Sequence, residues 1–180
     1  MLADFCSRML DTITEVTGQV FSAADIHTWQ IRESVPLTDN AWKEINMRVG
    51  EPGWCDSLDV LGGDDTRRAL RVLQSRHEVH VVTSSWASGT WASERTAWLW
   101  REFGIPYNRV HHSHDKRLFA GQVFVDDKPA NVESWREAWH WVAGRAVLWD
   151  QPYNARDLVH AKVTRTSSWD RVIQIADGEE

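Results

Sequence analysis

Residues 122–129 read Gln-Val-Phe-Val-Asp-Asp-Lys-Pro, an apolar run that ends in two adjacent carboxylates. The run from Gln122 to Val125 is typical of a buried strand in a parallel sheet. Adjacent carboxylates at a strand tip repel each other, and a hard cation such as Mg²⁺ is the usual compensation. The alternative is a solvated turn whose aspartates cap a helix. We therefore predict a strand followed by a Mg²⁺ site at Asp126 and Asp127, with a helix beginning at Pro129.

Strand and helix patterns alternate on both sides of this stretch. Helices are predicted over residues 2–17, 64–76, 90–103, 129–139 and 169–175, and strands over 79–82, 109–111, 122–125 and 146–149. Strands that alternate with helices predict parallel βαβ units and a doubly wound α/β sheet. Ligands of such sheets bind at the carboxyl ends of the strands, which is where chemistry is expected.

Composition limits the classes of function. The chain has 180 residues, which suits one domain or a core with a small insert, and a net charge of −6 without a basic block. Nucleic acid polymers are therefore not expected partners. The two cysteines form no zinc-like spacing, and a cytoplasmic location is expected. No apolar stretch reaches the roughly 18 residues of a membrane span, so no membrane association is expected.

Two further positions can serve an anionic ligand at the strand ends. The strand over 79–82 is followed by Thr83 and Ser84, whose hydroxyls suit a phosphate oxygen or, alternatively, a helix cap. Lys116 lies ten residues before Asp126 and can reach the same edge, although a loop lysine is usually a surface residue. The ordered combination carries more weight than any one of these residues.

A hydroxyl strand tip, a lysine and a double-aspartate tip, in this order, resemble motifs II, III and IV of phosphatases in the haloacid dehalogenase superfamily. The segment from His114 to Pro129 resembles the 5′(3′)-deoxyribonucleotidase branch, as do Leu2–Phe5 and Ala146–Asn154. The resemblance is weakest over residues 18–62. It implies a haloacid dehalogenase-like Rossmannoid three-layer fold with a parallel sheet and a small helical cap. The implied core spans residues 1–17 and 63–180, and the implied cap spans residues 18–62.

The resemblance also implies Mg²⁺-dependent hydrolysis of deoxyribonucleoside monophosphates through an aspartyl-phosphate. Its motifs assign phosphate binding to Thr83, Ser84 and Lys116, and Mg²⁺ to the aspartate pair. The implied substrate contacts are Phe5, Trp42, Trp54 and His114.

Two positions depart from the family pattern. His114 stands where an arginine is frequent, and Ser85 stands where a proline is common. Because a histidine is shorter and only partly charged at neutral pH, the nucleotide preference is left open.

Motif I of the family reads Asp-x-Asp-Gly-Val and is followed by Leu-Ala-Asp-Phe. Met1 stands at the Val position, so the resemblance implies that the nucleophile and the acid/base aspartate would lie upstream of it. We favour a misplaced start, because a GTG valine codon can initiate bacterial translation as Met. A deliberate fragment and a natural pseudoenzyme are the alternatives. As given, the chain is expected to be inactive or impaired.

Three functions remain to be separated. The first is the deoxyribonucleotidase, the second is a phosphatase of the superfamily for another small phosphomonoester, and the third is a non-catalytic nucleotide-binding pseudoenzyme. A response-regulator receiver fits less well. In receivers the acidic pair comes early in the domain and the lysine late, whereas here Lys116 precedes Asp126 and Asp127. The expected partner is a small nucleotide or phosphomonoester, and homodimerisation is left open.

Overall fold

The computed structural model describes residues 1–142 and 144–179. Helices and strands alternate in it after residue 63. The helices are α1 (Phe5–Thr17), α2 (Ile31–Ser34), α3 (Asp39–Val49), α4 (Gly63–Arg76), α5 (Trp91–Phe103), α6 (Pro129–Ala138) and α7 (Trp169–Asp177). The strands are β1 (Val81–Thr83), β2 (Val110–His112), β3 (Val123–Asp126), β4 (Arg145–Trp149) and β5 (Val163–Thr166).

All of the strand pairs are parallel, as the alternating pattern predicts. β1 pairs with β2, and β3, β4 and β5 pair in that order. Among the described residues, β1 and β3 therefore each hydrogen-bond a neighbouring strand on one side only. The register places Thr83 opposite His112 and Asp126 opposite Leu148, so that the carboxyl ends lie together within each sheet. The predicted α/β class with parallel strands is confirmed.

Helices cover both faces of the larger sheet, which gives three layers. On one face Val147 and Trp149 pack with residues of α4 and α7 such as Leu73 and Ile175. On the other face Ala146 and Leu148 pack with residues of α6. Because side chains alternate along a strand, β4 is buried on both sides, and this explains its continuous apolar sequence.

Several helix boundaries follow local sequence signals. Gly18 and Gly104 end α1 and α5 in the left-handed conformation, with φ of 71° and 67°, as expected of glycine at a helix end. The Thr38 side chain caps α3, and Asp39 is already helical. Strand β5 was not predicted, since Val-Thr-Arg-Thr is too short and polar to stand out.

The segment 18–62 contains α2, α3 and a 3₁₀ turn, and it returns to the core beside the start of the chain. Ala3 and Val60 form an antiparallel bridge there. The segment also contributes buried side chains, including Ile45 and Val49, to a large apolar cluster shared with α1 and α5. The division into a core and a cap over these residues stays a prediction. No helix in the described part of the chain is both long and apolar enough to cross a bilayer.

Candidate functional site

The hydroxyl residues lie where β1 ends. Thr83 is the last residue of the strand, and its carbonyl accepts a hydrogen bond from Ser113 N at 3.0 Å. Ser84 follows, and its hydroxyl donates to the carbonyl of Ser113 at 3.3 Å. Neither hydroxyl caps a helix, because α5 begins only at Trp91. Both positions therefore border the carboxyl edge of the smaller sheet.

Lys116 lies at the same edge although it comes from the loop after β2. It begins a 3₁₀ turn that Asp115 caps, its side chain is only 6% exposed, and its ammonium donates to the carbonyl of Val82. Burial lowers the pKa of Lys116, while the nearby charges of Asp126 and Asp127 act in the opposite direction. The lysine is thus within electrostatic range of both sheets' strand ends.

Asp126 ends β3 and is held by neutral donors. Its carboxylate accepts from Lys128 N at 2.8 Å and from Asn131 Nδ2 at 3.2 and 3.1 Å. Burial, followed by the adjacent Asp127, raises the pKa of Asp126 above its ordinary value. Asn131 therefore orients a carboxylate of the predicted metal pair.

Asp127 has a different environment. Its Oδ2 accepts from the Tyr153 hydroxyl at 2.6 Å and from the Met1 α-ammonium at 3.0 Å. Burial alone would raise the pKa of Asp127, but the ammonium and the tyrosine hydroxyl outweigh it and hold that pKa below its ordinary value. The described hydrogen bonds to this side chain all go to Oδ2.

The sequence did not assign Tyr153 and Asn154 to this site. Asn154 is fully buried, and its Nδ2 donates to the carbonyls of Asp127 and Trp149 at 2.8 and 2.9 Å. Burial, and then the charge of Asp127, raises the pKa of Tyr153, so it stays a neutral donor. The one available signal was the family-like segment Ala146–Asn154, whose carboxyl end these residues form.

The residues present fit Mg²⁺. Magnesium uses one or two protein carboxylates and completes its octahedron with waters and substrate phosphate. Asp126 and Asp127 provide a half-buried pair of this kind. No group of three or more His, Cys, Asp or Glu side chains in the described ranges could enclose a metal. A cation here would therefore depend on oxygen ligands from solvent or substrate.

Both tryptophans among the predicted substrate contacts are buried in the apolar core. Trp42 is 4% exposed in α3 and belongs to the apolar core, so the structure does not bring it to the strand ends. Trp54 is 5% exposed, donates to Thr12 Oγ1 at 2.9 Å and meets Phe5 with ring centroids 5.4 Å apart. His114 is exposed beside Ser113. Their predicted substrate contacts stay predictions.

Trp29 is an aromatic residue that the sequence did not single out. Its ring is 47% exposed and lies 4.0 Å from the ammonium of Lys128, which directly follows Asp127. This cation–π contact joins the segment 18–62 to the predicted metal loop.

Asp4 is the first carboxylate residue in the sequence, and its side chain has a partner in α1. Its side chain accepts from the backbone N and the hydroxyl of Ser7 at 3.1 and 2.8 Å, which caps α1. The sequence places Asp4 inside this helix, whereas the structure makes it the cap.

Parallel sheets whose carboxyl ends carry a hydroxyl tip, a buried lysine and paired aspartates are typical of the haloacid dehalogenase-like class of phosphatases. The model of the family described as 5′ nucleotidase, deoxy (Pyrimidine), cytosolic type C protein matches residues 1–177, and the chain belongs to this family. Membership places it among nucleotidases, which hydrolyse phosphate esters. No curated protein matches the chain.

Proposed function

We propose that this chain forms a Mg²⁺-dependent, cytoplasmic site for deoxyribonucleoside 5′-monophosphates. The observation that carries the proposal is the buried Lys116, whose ammonium contacts the strand that ends in Thr83 and whose charge couples to Asp126 and Asp127. A dianionic phosphate at this edge would meet positive charge from the lysine and hydroxyl donors from Thr83 and Ser84.

Each residue has a distinct task in this proposal. Thr83, Ser84 and Lys116 hold the phosphate oxygens and orient the ester. Asp126 and Asp127 would hold Mg²⁺, which supplies further positive charge to the phosphate when it is bound. Asn131 and Tyr153 keep the two carboxylates in place by the hydrogen bonds described above.

We further propose that the phosphate-binding residues and the aspartate pair bind the phosphate ester without hydrolysing it. Covalent phosphoryl transfer needs a nucleophile in line with phosphorus. Asp126 and Asp127 are the proposed Mg²⁺ ligands in this assignment, and Asp4 accepts hydrogen bonds from Ser7. The unpaired sides of β1 and β3 would accept one further strand, on which a family-like Asp-x-Asp would reach the same edge.

The base would lie under the segment 18–62. Phe5, Trp54 and His114 are the proposed contacts, and Trp29 adds an exposed ring beside Lys128. Trp42 could contribute only after movement of α3. Because His114 and Ser85 depart from the family pattern, another small phosphomonoester is the second candidate substrate, which a panel of sugar phosphates would separate from nucleotides.

The test compares two proteins. The 180-residue chain and a variant extended at its amino end by a strand ending in Asp-x-Asp-Gly are assayed for phosphate release from dUMP and dTMP with Mg²⁺. We expect binding without release from the first and release from the second. Changing the first Asp of the added strand to Asn is the control and should abolish release.

Two results would contradict the proposal. Release by the 180-residue chain that is lost in Asp126→Asn would show that one of its own residues replaces the family nucleophile. If neither protein binds dUMP in a Mg²⁺-dependent way, the proposed nucleotide-binding function itself is wrong.

A further inference from the structure

Arg165 lies in strand β5, and its side chain reaches the loop over residues 150–157 that follows β4. It is 27% exposed and donates four hydrogen bonds to that loop. Nη1 donates to Asp150 Oδ1 at 2.6 Å and to the carbonyl and Oδ1 of Asn154 at 3.1 and 3.3 Å, and Nη2 donates to the carbonyl of Asp157 at 2.7 Å. A guanidinium can serve several acceptors because its donors form a rigid planar fork. Arg165 therefore joins the start, the middle and the end of the loop.

This loop carries the two residues that hold Asp127. The Tyr153 hydroxyl donates to Asp127 Oδ2 at 2.6 Å, and Asn154 Nδ2 donates to the Asp127 carbonyl at 2.8 Å. Both donors belong to a single 3₁₀ turn, Pro152–Asn154. One isolated turn has too few internal hydrogen bonds to be stable by itself. The positions of both donors therefore depend on the groups that hold the loop.

Asn154 connects Arg165 to Asp127. Its Oδ1 accepts from Gln151 N at 3.0 Å and from Arg165 at 3.3 Å, while its Nδ2 donates to the carbonyls of Asp127 and Trp149. Donors on one side and acceptors on the other fix the orientation of the amide. Asn154 is fully buried, so a lost partner would leave a buried polar atom unsatisfied. Hydrogen bonds thus run without a gap from β5 to Asp127.

The ion pair with Asp150 does not explain this arrangement. Asp150 is 38% exposed, and pairs with this much exposure contribute little to stability. Three of the four acceptors of Arg165 are neutral oxygens of Asn154 and Asp157. The guanidinium therefore serves the shape of the loop more than its charge balance.

We propose that Arg165 is a positioning residue for Asp127 and that, through Asp127, it sets the affinity of the proposed Mg²⁺ site. The Mg²⁺ part rests on the proposed function, whereas the positioning of Asp127 does not. The described hydrogen bonds of the Asp127 carboxylate go to Oδ2, so they fix its rotation and leave Oδ1 for a ligand. A loop held by Arg165 keeps this orientation before a cation arrives, which lowers the cost of binding the cation.

The first experiment measures the Mg²⁺ concentration at which dUMP binding is half-maximal, by calorimetric titration of the 180-residue chain. Arg165→Met should raise this concentration about threefold to tenfold, and Tyr153→Phe, which removes a direct partner of Asp127, should raise it about tenfold or more. Arg165→Lys keeps the charge but serves fewer acceptors, so it should recover only part of the loss. Arg156→Met is the matched control, because Arg156 is exposed in the same loop, and it should match the wild type.

Two further variants separate positioning from charge. Asp150→Asn removes the ion pair but keeps an acceptor for Nη1, so the Mg²⁺ requirement should change by less than about twofold. Arg165→Met combined with Tyr153→Phe should lose less than the product of the two single losses, because both residues act on Asp127.

The second experiment needs no metal. NMR measures hydrogen exchange of the Asn154 side-chain amide and of the Asp157 N–H, which donates to the Asn154 carbonyl at 3.0 Å. Arg165→Met should accelerate both by roughly fivefold or more, and Arg156→Met should leave them unchanged. Exchange of the Val147 N–H in the central strand β4 reports global unfolding and is the internal reference.

Three outcomes would overturn the inference. These are an Arg165→Met protein with the Mg²⁺ requirement of the wild type, an Asp150→Asn protein that loses as much as Arg165→Met, and exchange that accelerates equally at Asn154 and Val147. If the wild type shows no Mg²⁺-dependent dUMP binding while Asn154 exchanges faster in Arg165→Met, only the proposed function fails. If Arg165→Met does not fold, Arg165→Lys gives the same comparisons.

Discussion

Asp126 and Asp127 are neighbours in the chain, yet burial and partners shift their pKa values in opposite directions. Asp126 has neutral donors and a raised pKa, whereas Asp127 has an ammonium partner and a lowered one. The folded, metal-free protein therefore holds a carboxylate that prefers a proton. Its contribution to stability falls as the pH rises through that raised pKa, since the folded state then binds more protons than the unfolded state.

At the residue scale, Asp126→Asn tests this charge. Mg²⁺ should raise the Tm of the wild type and leave the Tm of the variant unchanged. Without metal at pH 7 the variant should be as stable as the wild type or more stable, by about 1–3 kcal/mol. Thermal unfolding with and without Mg²⁺ measures both effects. Asp115→Asn, which removes an exposed partner of Arg117, is the control, and equal Mg²⁺ stabilisation of all three proteins would contradict the assignment.

Lys116 is tested against the residue beside it. Lys116→Met should weaken dUMP binding by about thirtyfold or more, because a buried ammonium facing phosphate is lost. Arg117→Met is the matched control, since Arg117 is exposed and paired with Asp115 at 2.8 Å. Calorimetric titration of dUMP with Mg²⁺ gives the comparison. Similar affinities of the two variants would show that Lys116 is only a structural partner of Val82.

At the element scale, the carboxylate of Asp177 at the end of α7 contacts the carboxyl end of α4. Asp177 accepts from Arg76 at 2.5 Å and from His77 at 2.8 Å, and these hydrogen bonds, that of His77 first, lower its pKa. The two helices together cover one face of β4. Their contact therefore stabilises the layer beneath the strand ends rather than the site itself.

Asp177→Asn should lower the Tm at pH 7 by a few degrees. A lowered pKa gives stability that is present above the ordinary aspartate pKa and lost as the pH falls through the lowered value. The difference between wild type and variant should accordingly shrink as the pH falls through this lowered pKa and vanish below it. Thermal unfolding as a function of pH measures it, with exposed Asp170→Asn of the same helix as control. A difference that persists in acid would mean that packing, not charge, is responsible.

At the scale of the whole molecule, the segment 18–62 is held in the core by buried side chains such as Ile45 and Val49, and two further contacts join it to the strand regions. Near the start of the chain it forms the Ala3–Val60 bridge, and at the strand ends Trp29 covers Lys128. An exposed cation–π contact contributes about 0.5–1 kcal/mol. The contact of Trp29 is therefore weak enough to open locally, while the buried side chains keep the rest of the segment packed.

Trp29→Ala should increase local opening around residue 29 by roughly two- to fivefold, because about 0.5–1 kcal/mol of cation–π energy is lost. Limited trypsin digestion at low protease concentration should then cleave faster after Arg32, which lies in α2 close to Trp29. Trp100→Ala, an equally large change at an exposed position of α5, should leave the rate unchanged. Equal cleavage rates in Trp29→Ala and the wild type would show that Trp29 does not hold the segment.

The sequence alone determined the parallel α/β class, the order of the strand-end motifs and the glycines that end α1 and α5. These depend on side-chain periodicity and on local backbone preferences, which act over a few residues. The same local signals located Thr83, Lys116 and Asp126 at strand ends, because the rule for parallel sheets needs only the order of the elements.

Only the tertiary structure decided which distant groups meet. It placed Tyr153 and Asn154 on Asp127, Trp29 on Lys128, and Ser85 and Thr96 on His112. It also buried Trp42, and a tryptophan side chain suits a core position and a base contact equally well. The physical reason is that burial and hydrogen bonding join residues separated by many positions in the chain, and neither hydrophobic period nor motif spacing records those separations.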